Sequence, residues 1–200
     1  DDHVRWALDR LGRLVSADRA YVFRYDPSGD TVTNTHEWAA DGVSSQKEML
    51  QDLPFGRFSW LRERLMGGEV VHMPDVANLP DEAKAEREEL QRQHIQSMVS
   101  VPMTIGVEFV GFIGFDNVRH ARPWDESDIT LLQAVGEIMT NALRRCEAEQ
   151  ELKASTASLA EAQRIARLGN WDWDISTGRL WWSDEIYRIF GLEPHAFGAT

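Results

Sequence analysis

The side chains able to do chemistry are present but scattered. His36 and His72 have no partner at metal-ligand spacing. His94, His120 and His195 fall in expected loops or helix ends and form no constellation. Cys146 is the only cysteine. On a packed helical seam it has neither a low-pKa pocket nor a resolving partner. The acid pair Asp125 and Asp128 is explained by helix capping. Glu88 and Glu89 read as part of a solvated charged face. Gly111 and Gly114 lie inside an expected strand, not between strand and helix, so they build no phosphate loop. No nucleophile–base pair can be named. The chain reads as non-catalytic, with no metal and no cofactor expected.

Bulk properties narrow the partners. The 200 residues carry 21 Lys plus Arg against 33 Asp plus Glu, a net charge of −12. That balance disfavours nucleic acid and anionic membranes, which need a basic surface. Apolar residues make up 42% and aromatics 10%, enough for a packed core. One cysteine forbids an internal disulfide framework and fits a reducing compartment. No run approaches ~18 apolar residues, so no membrane contact is expected of this chain. It opens on Asp1, not Met, and stops at Thr200, so it reads as a piece of a longer protein.

The elements that must position any site follow from periodicity. Val4, Leu8, Leu11 and Val15 sit at helical spacing over 3–15. Residues 20–25 are rich in β-formers, 26–30 are turn chemistry, and a second strand completes a hairpin. Strict alternation puts Val32, Asn34, His36 and Trp38 on one face of that strand and Glu37 on the other. Residues 39–56 lack a period. A short helix is expected near 59–66, a strand over 70–73 and a charged helix over 81–93, with Ala83, Leu90 and Ile95 inward. Strands at 98–103 and 108–116 follow, the second bent or closely approached at Gly111 and Gly114.

The longest element starts at Asp125, an N-cap with Asp128 three residues on and a Trp124–Ile129 staple. Ile129, Leu132, Gly136, Met139, Leu143 and Cys146 follow heptad spacing. Leu131, Val135, Ile138 and Ala142 widen the stripe, so this helix should face its own domain and something else. A helix from Glu126 to about Ile165 is ~60 Å long at ~1.5 Å per residue. Beyond it, 171–175 and 179–182 form a Trp-rich hairpin, and Ser183 caps a short helix. About 30 residues cannot build a core alone.

The order of elements resembles that of a GAF domain, and several phrases carry the likeness. They are LVSADRAYVFRY (14–25), His36-Glu37-Trp38, GEVVHMPDV (68–76), SMVSVPM (97–103), VGFIGFD (110–116) and WDESDITLL (124–132). The tail, through LGNW (168–171), SDEIY (183–187) and FGL (190–192), resembles the opening of a PAS domain. The resemblance implies a cytoplasmic sensory module upstream of a histidine kinase or diguanylate cyclase output. The expected fold class is α+β, a GAF-like antiparallel sheet flanked by helices with a long C-terminal connector helix. The expected domains are GAF over 1–147, connector over 148–166 and an incomplete PAS domain over 167–200.

A GAF sheet covered on one face by loops and short helices commonly encloses a small-molecule pocket. Tyr21, Trp38, Phe58, Trp60, His72 and Met98 are its candidate lining, with Arg57 as a candidate anion anchor. A bilin thioether needs a cysteine near the position of Ala85, and Cys146 is far away. The cyclic-nucleotide signature is absent, since Val118 follows Asn117 and Ile129 follows Asp128. The reductase branch of the family needs two cysteines. What remains is a sensory module that binds a small molecule and dimerises through its N- and C-terminal helices. The alternative is a spacer with no ligand.

Overall fold

The computed structural model describes residues 2–194; the side chains of Asp2, Cys146 and Glu147 also lie outside the described part. The expectations for His195 and for the Cys146 side chain on the helix seam therefore fall outside it. The chain divides into two compact units, Asp1–Arg144 and Arg145–Thr200.

The first unit holds a six-stranded sheet in the order β3-β2-β1-β6-β5-β4. Its strands are β1 (Arg19–Asp26), β2 (Thr31–Ala39), β3 (Leu53–Pro54), β4 (Val71–Met73), β5 (Ser97–Ile105) and β6 (Glu108–Asn117). Every neighbouring pair is antiparallel. Helix α1 (Asp2–Leu14) and the part of α4 (Glu126–Ala166) up to Leu143 belong to one face; α2 (Ser59–Met66) and α3 (Lys84–Arg92) belong to the other. This is the expected α+β architecture. The short β3 was not expected; it pairs two residues of the aperiodic stretch with Val32 and Thr31.

Alternation along each strand divides the core in two. Tyr21, Phe23, Met98 and Phe112 join Phe55, Phe58, Leu65 and Ile95 on the α2–α3 face. Ala20, Val22, Val99, Ile113 and Phe115 join Leu8, Trp38, Trp124 and Leu132 on the α1–α4 face. The second group is closely fitted. A Cβ on Gly12 would lie 2.2 Å from the Trp38 ring, so only glycine lets α1 settle there. Gly111 has φ +149°, and a Cβ on it would lie 2.0 Å from the Phe23 carbonyl oxygen. A Cβ on Gly114 would lie 2.6 Å from the Tyr21 ring. Both agree with the close backbone approach expected of them.

The start of α4 follows its sequence signals. Asp128 N–H donates to Asp125 Oδ1 at 2.9 Å, and Asp125 N–H donates back to Asp128 Oδ2 at 3.3 Å. Trp124 is buried, stacks on Phe115 with centroids 5.8 Å apart, and shares a cluster with Ile129. Ile129, Leu132, Met139 and Leu143 are spent on this cluster, whereas Ile138 is exposed. The helix runs 41 residues, and Leu152, Leu159 and Ile165 are exposed.

The second unit contains the hairpin β7 (Trp171–Asp174) and β8 (Arg179–Trp182), then α5 (Asp184–Ile189). Trp182 packs on Tyr187 and Phe190, with centroids 5.5 and 5.6 Å away. Trp171, Trp173 and Trp181 are exposed. Ser183 occupies the N-cap position but makes no side-chain capping bond. Its hydroxyl instead accepts the Asn170 N–H at 3.1 Å, because the chain entering β7 offers a donor there.

Candidate functional site

A small cavity of about 80 Å³ lies on the α2–α3 face of the sheet. Strands β1, β2 and β6 give it a floor through Tyr21, Phe23, Val32 and Phe112. Phe55, Phe58, Leu61 and Leu90 contribute from the covering turns and helices. The aromatic part is ordered by stacking, with Phe23 on Phe112 at 4.7 Å and Phe55 on Phe112 at 6.2 Å.

The lining also carries buried polar groups. Arg19 and Asp116 face each other across β1 and β6, both side chains 2% exposed. Arg19 Nε donates to Asp116 Oδ1 at 2.9 Å. Burial pushes the Asp116 carboxyl up to about 6, with the Arg19 charge pulling the other way. Beside them Glu37 Oε1 accepts the Gln46 N–H at 2.8 Å and Glu37 Oε2 accepts from Asn34 Nδ2 at 2.6 Å. Asn34 is 1% exposed, and its Oδ1 has no partner. From α3, Glu86 accepts the Leu61 N–H at 3.0 Å. Glu89 bonds Arg92 and Gln93, and these bonds hold its carboxyl below the usual range against the upward pull of burial.

Three of the seven candidate residues, Tyr21, Phe58 and Met98, line this cavity. Tyr21 is buried with its hydroxyl 3.4 Å from Ser100 Oγ, and burial pushes its ionisation up. Trp38 does not line it; the indole lies on the opposite face under α1, with the Arg13 guanidinium 5.6 Å from its ring. His72 does not line it either. It sits on edge strand β4, where Nε2 accepts the Trp124 N–H at 3.1 Å. Burial holds its protonation below the ordinary histidine range. Arg57 is exposed, its guanidinium 5.6 Å from the Phe58 ring, and is not in the lining. Trp60 is partly buried behind the lining, with Arg64 3.9 Å over its ring.

The correction at Trp38 has a local cause. Val22 pairs with His36 and Phe23 with Asn34, so Thr35 is an extra residue, a β-bulge. The bulge shifts the alternation by one. Glu37 joins Val32 and Asn34 on the cavity side, and Trp38 turns away. Glu89 is a second correction. Its side chain is 13% exposed, not solvated, because α3 lays that edge over the cavity. Glu86 was missed. Its signal was readable, since it falls on the stripe Ala83–Glu86–Leu90 at helical spacing.

Residues 3–143 match the GAF domain family. The chain is a GAF-family protein. It is 30% identical over 158 residues to the methanogenesis regulatory histidine kinase FilI of Methanothrix harundinacea (strain 6Ac). That alignment covers 77% of this chain and only 18% of the relative. Solved structures share the fold. GAF3 from Slr1393 of Synechocystis sp. PCC6803, in its photoproduct state, superposes with a TM-score of 0.63 at 23% identity, covering 76% of this chain and 98% of that one. The blue-light-absorbing form of the Thermosynechococcus elongatus PixJ GAF domain gives 0.62 at 20% identity, covering 76% and 88%. Among the described residues no helix of this GAF chain is long and apolar enough to cross a membrane.

Proposed function

We propose that this GAF chain is a non-catalytic sensory module of a larger signal-transduction protein of the histidine kinase or diguanylate cyclase type. The cavity takes a small molecule, and α4 carries the response toward a PAS domain opening at 167–200 and an output domain beyond. The observation that carries the reading is the cavity itself, mostly apolar with a few convergent polar groups beside the sheet. Likeness to a regulatory histidine kinase supports the signalling context. Exposed apolar residues on α1 and α4, Trp6, Leu14 and Ile138, support pairing of these helices with a second copy. A ligand shifts such an assembly only if it binds the two helix arrangements with different affinity.

The cavity volume of about 80 Å³ favours a second reading. Pockets for drug-sized ligands run to roughly 300 Å³ and more. A spacer that dimerises without a ligand needs no more space than this. The two readings separate by native mass spectrometry after incubation with a metabolite extract. The sensory reading expects one retained small mass, lost in Leu90→Phe, which fills the cavity from α3. A wild-type protein that retains nothing supports the spacer.

A further inference from the structure

We propose that the cavity recognises a compact organic cation, a small aliphatic ammonium, and rejects anions. The inference rests on the sensory reading above and adds the chemical class of the ligand. Among the described lining residues Arg19 is the only base, against Glu37, Glu86, Glu89 and Asp116. Two of those carboxylates already have cations: Asp116 is bonded to Arg19 and Glu89 to Arg92. Glu37 and Glu86 meet N–H groups of neutral partners, the Asn34 amide, the Gln46 backbone and the Leu61 backbone. Both are buried, Glu86 to 3% exposure. A buried carboxylate without a cation is costly, so an occupant bringing positive charge is favoured.

Asn34 supplies an independent indication. Its Nδ2 is held by Glu37 Oε2, which leaves Oδ1 as a buried acceptor without a donor, in a residue that lines the same cavity. A ligand bearing several N–H groups can satisfy this oxygen and a carboxylate together, since an ammonium carries three donors and no acceptor. The rest of the lining, with Phe23, Phe55 and Phe112, suits a short alkyl body. About 80 Å³ limits that body to a few carbons, below the ~150 Å³ of a cavity that binds benzene. Phosphate and carboxylate ligands would meet acceptors where they need donors.

The test uses the whole chain and three probes with one carbon skeleton: isobutylammonium, isobutanol and isobutyrate, each titrated by calorimetry and thermal shift. Saturable stabilisation is expected with isobutylammonium and none with isobutyrate. Glu86→Gln keeps the acceptor for Leu61 and removes the charge, so it should weaken isobutylammonium at least tenfold without lowering the melting temperature of the free protein. Glu37→Gln is the second variant, with the same expected loss of affinity. Equal binding of isobutanol and isobutylammonium would overturn the cation inference and leave the cavity reading standing. So would tighter binding of isobutyrate, or unchanged isobutylammonium affinity in both variants. No response to any probe would overturn the cation inference, and a mass retained from the metabolite extract would then leave the cavity reading standing without it.

Discussion

The two faces of the sheet are built to different standards of fit. On the α1–α4 face the backbone itself yields to the side chains, with Gly12 pressed against Trp38, and Trp124 fills the corner beside Phe115. On the α2–α3 face the same strands support a cavity, buried carboxylates and an unpartnered amide oxygen. Close packing everywhere would give the most stable domain. Open space beside buried carboxylates, found on one side, is the sort of local cost tolerated where something binds. The packed face is also the one that holds the start of α4, so on the proposed sensory reading recognition and transmission would act on opposite faces of one sheet.

The sharpest way to break this comparison is to truncate one anchor on each face. Trp124→Ala should cost about 3–5 kcal/mol, the level of a buried aromatic truncation, read by chemical denaturation. An unchanged unfolding midpoint would mean that the Trp124–Ile129 staple does not secure α4.

On the cavity face the cost should be smaller. Leu90→Ala removes a partly buried side chain beside existing space, and about 1–2 kcal/mol is expected. A loss equal to that of Trp124→Ala would show that the cavity side is packed as tightly as its opposite.

A pH titration sharpens the link between β4 and α4. His72 accepts the Trp124 N–H, so it must be neutral there, and its folded pKa lies below the unfolded value. The folded state therefore binds fewer protons than the unfolded one. This contribution is present above about pH 6.5 and is lost as the pH falls through the folded pKa. Asp116 acts in the opposite sense, since its folded pKa is raised. The difference between wild type and His72→Gln isolates the histidine, because glutamine keeps an acceptor that does not titrate. The variant should gain on wild type as the pH drops from 7 to 5. Parallel stability curves would show that the bond contributes nothing.

The smallest expected effect concerns the second unit. A chain ending at Arg167 should keep the melting temperature of the first unit, whose own core is complete, and should aggregate less once Trp171, Trp173 and Trp181 are gone. Loss of the first transition on that truncation would move the domain boundary.

Much of this fold was legible in the residues. The stripe Leu8–Leu11–Val15, the turn at 26–30 and the paired bonds of Asp125 and Asp128 each carry a local signal with a local cause. Helix caps and turns depend on neighbours within a few positions, so sequence determines them directly; the β6 glycines mark a close approach, but the strand that makes it comes from far along the chain. The site was less legible. Tyr21, Phe58 and Met98 were readable as candidates for its lining, but Trp38 and His72 lie elsewhere, and Glu37, Glu86 and Asn34 are among its polar groups. One inserted residue at Thr35 decides which of Glu37 and Trp38 enters the cavity, and that bulge exists only because β2 must register with β1. Likewise Glu89 looks solvated until α3 is laid over the sheet. Alternation tells which residues share a face; only the packing of the other elements decides which face encloses the space.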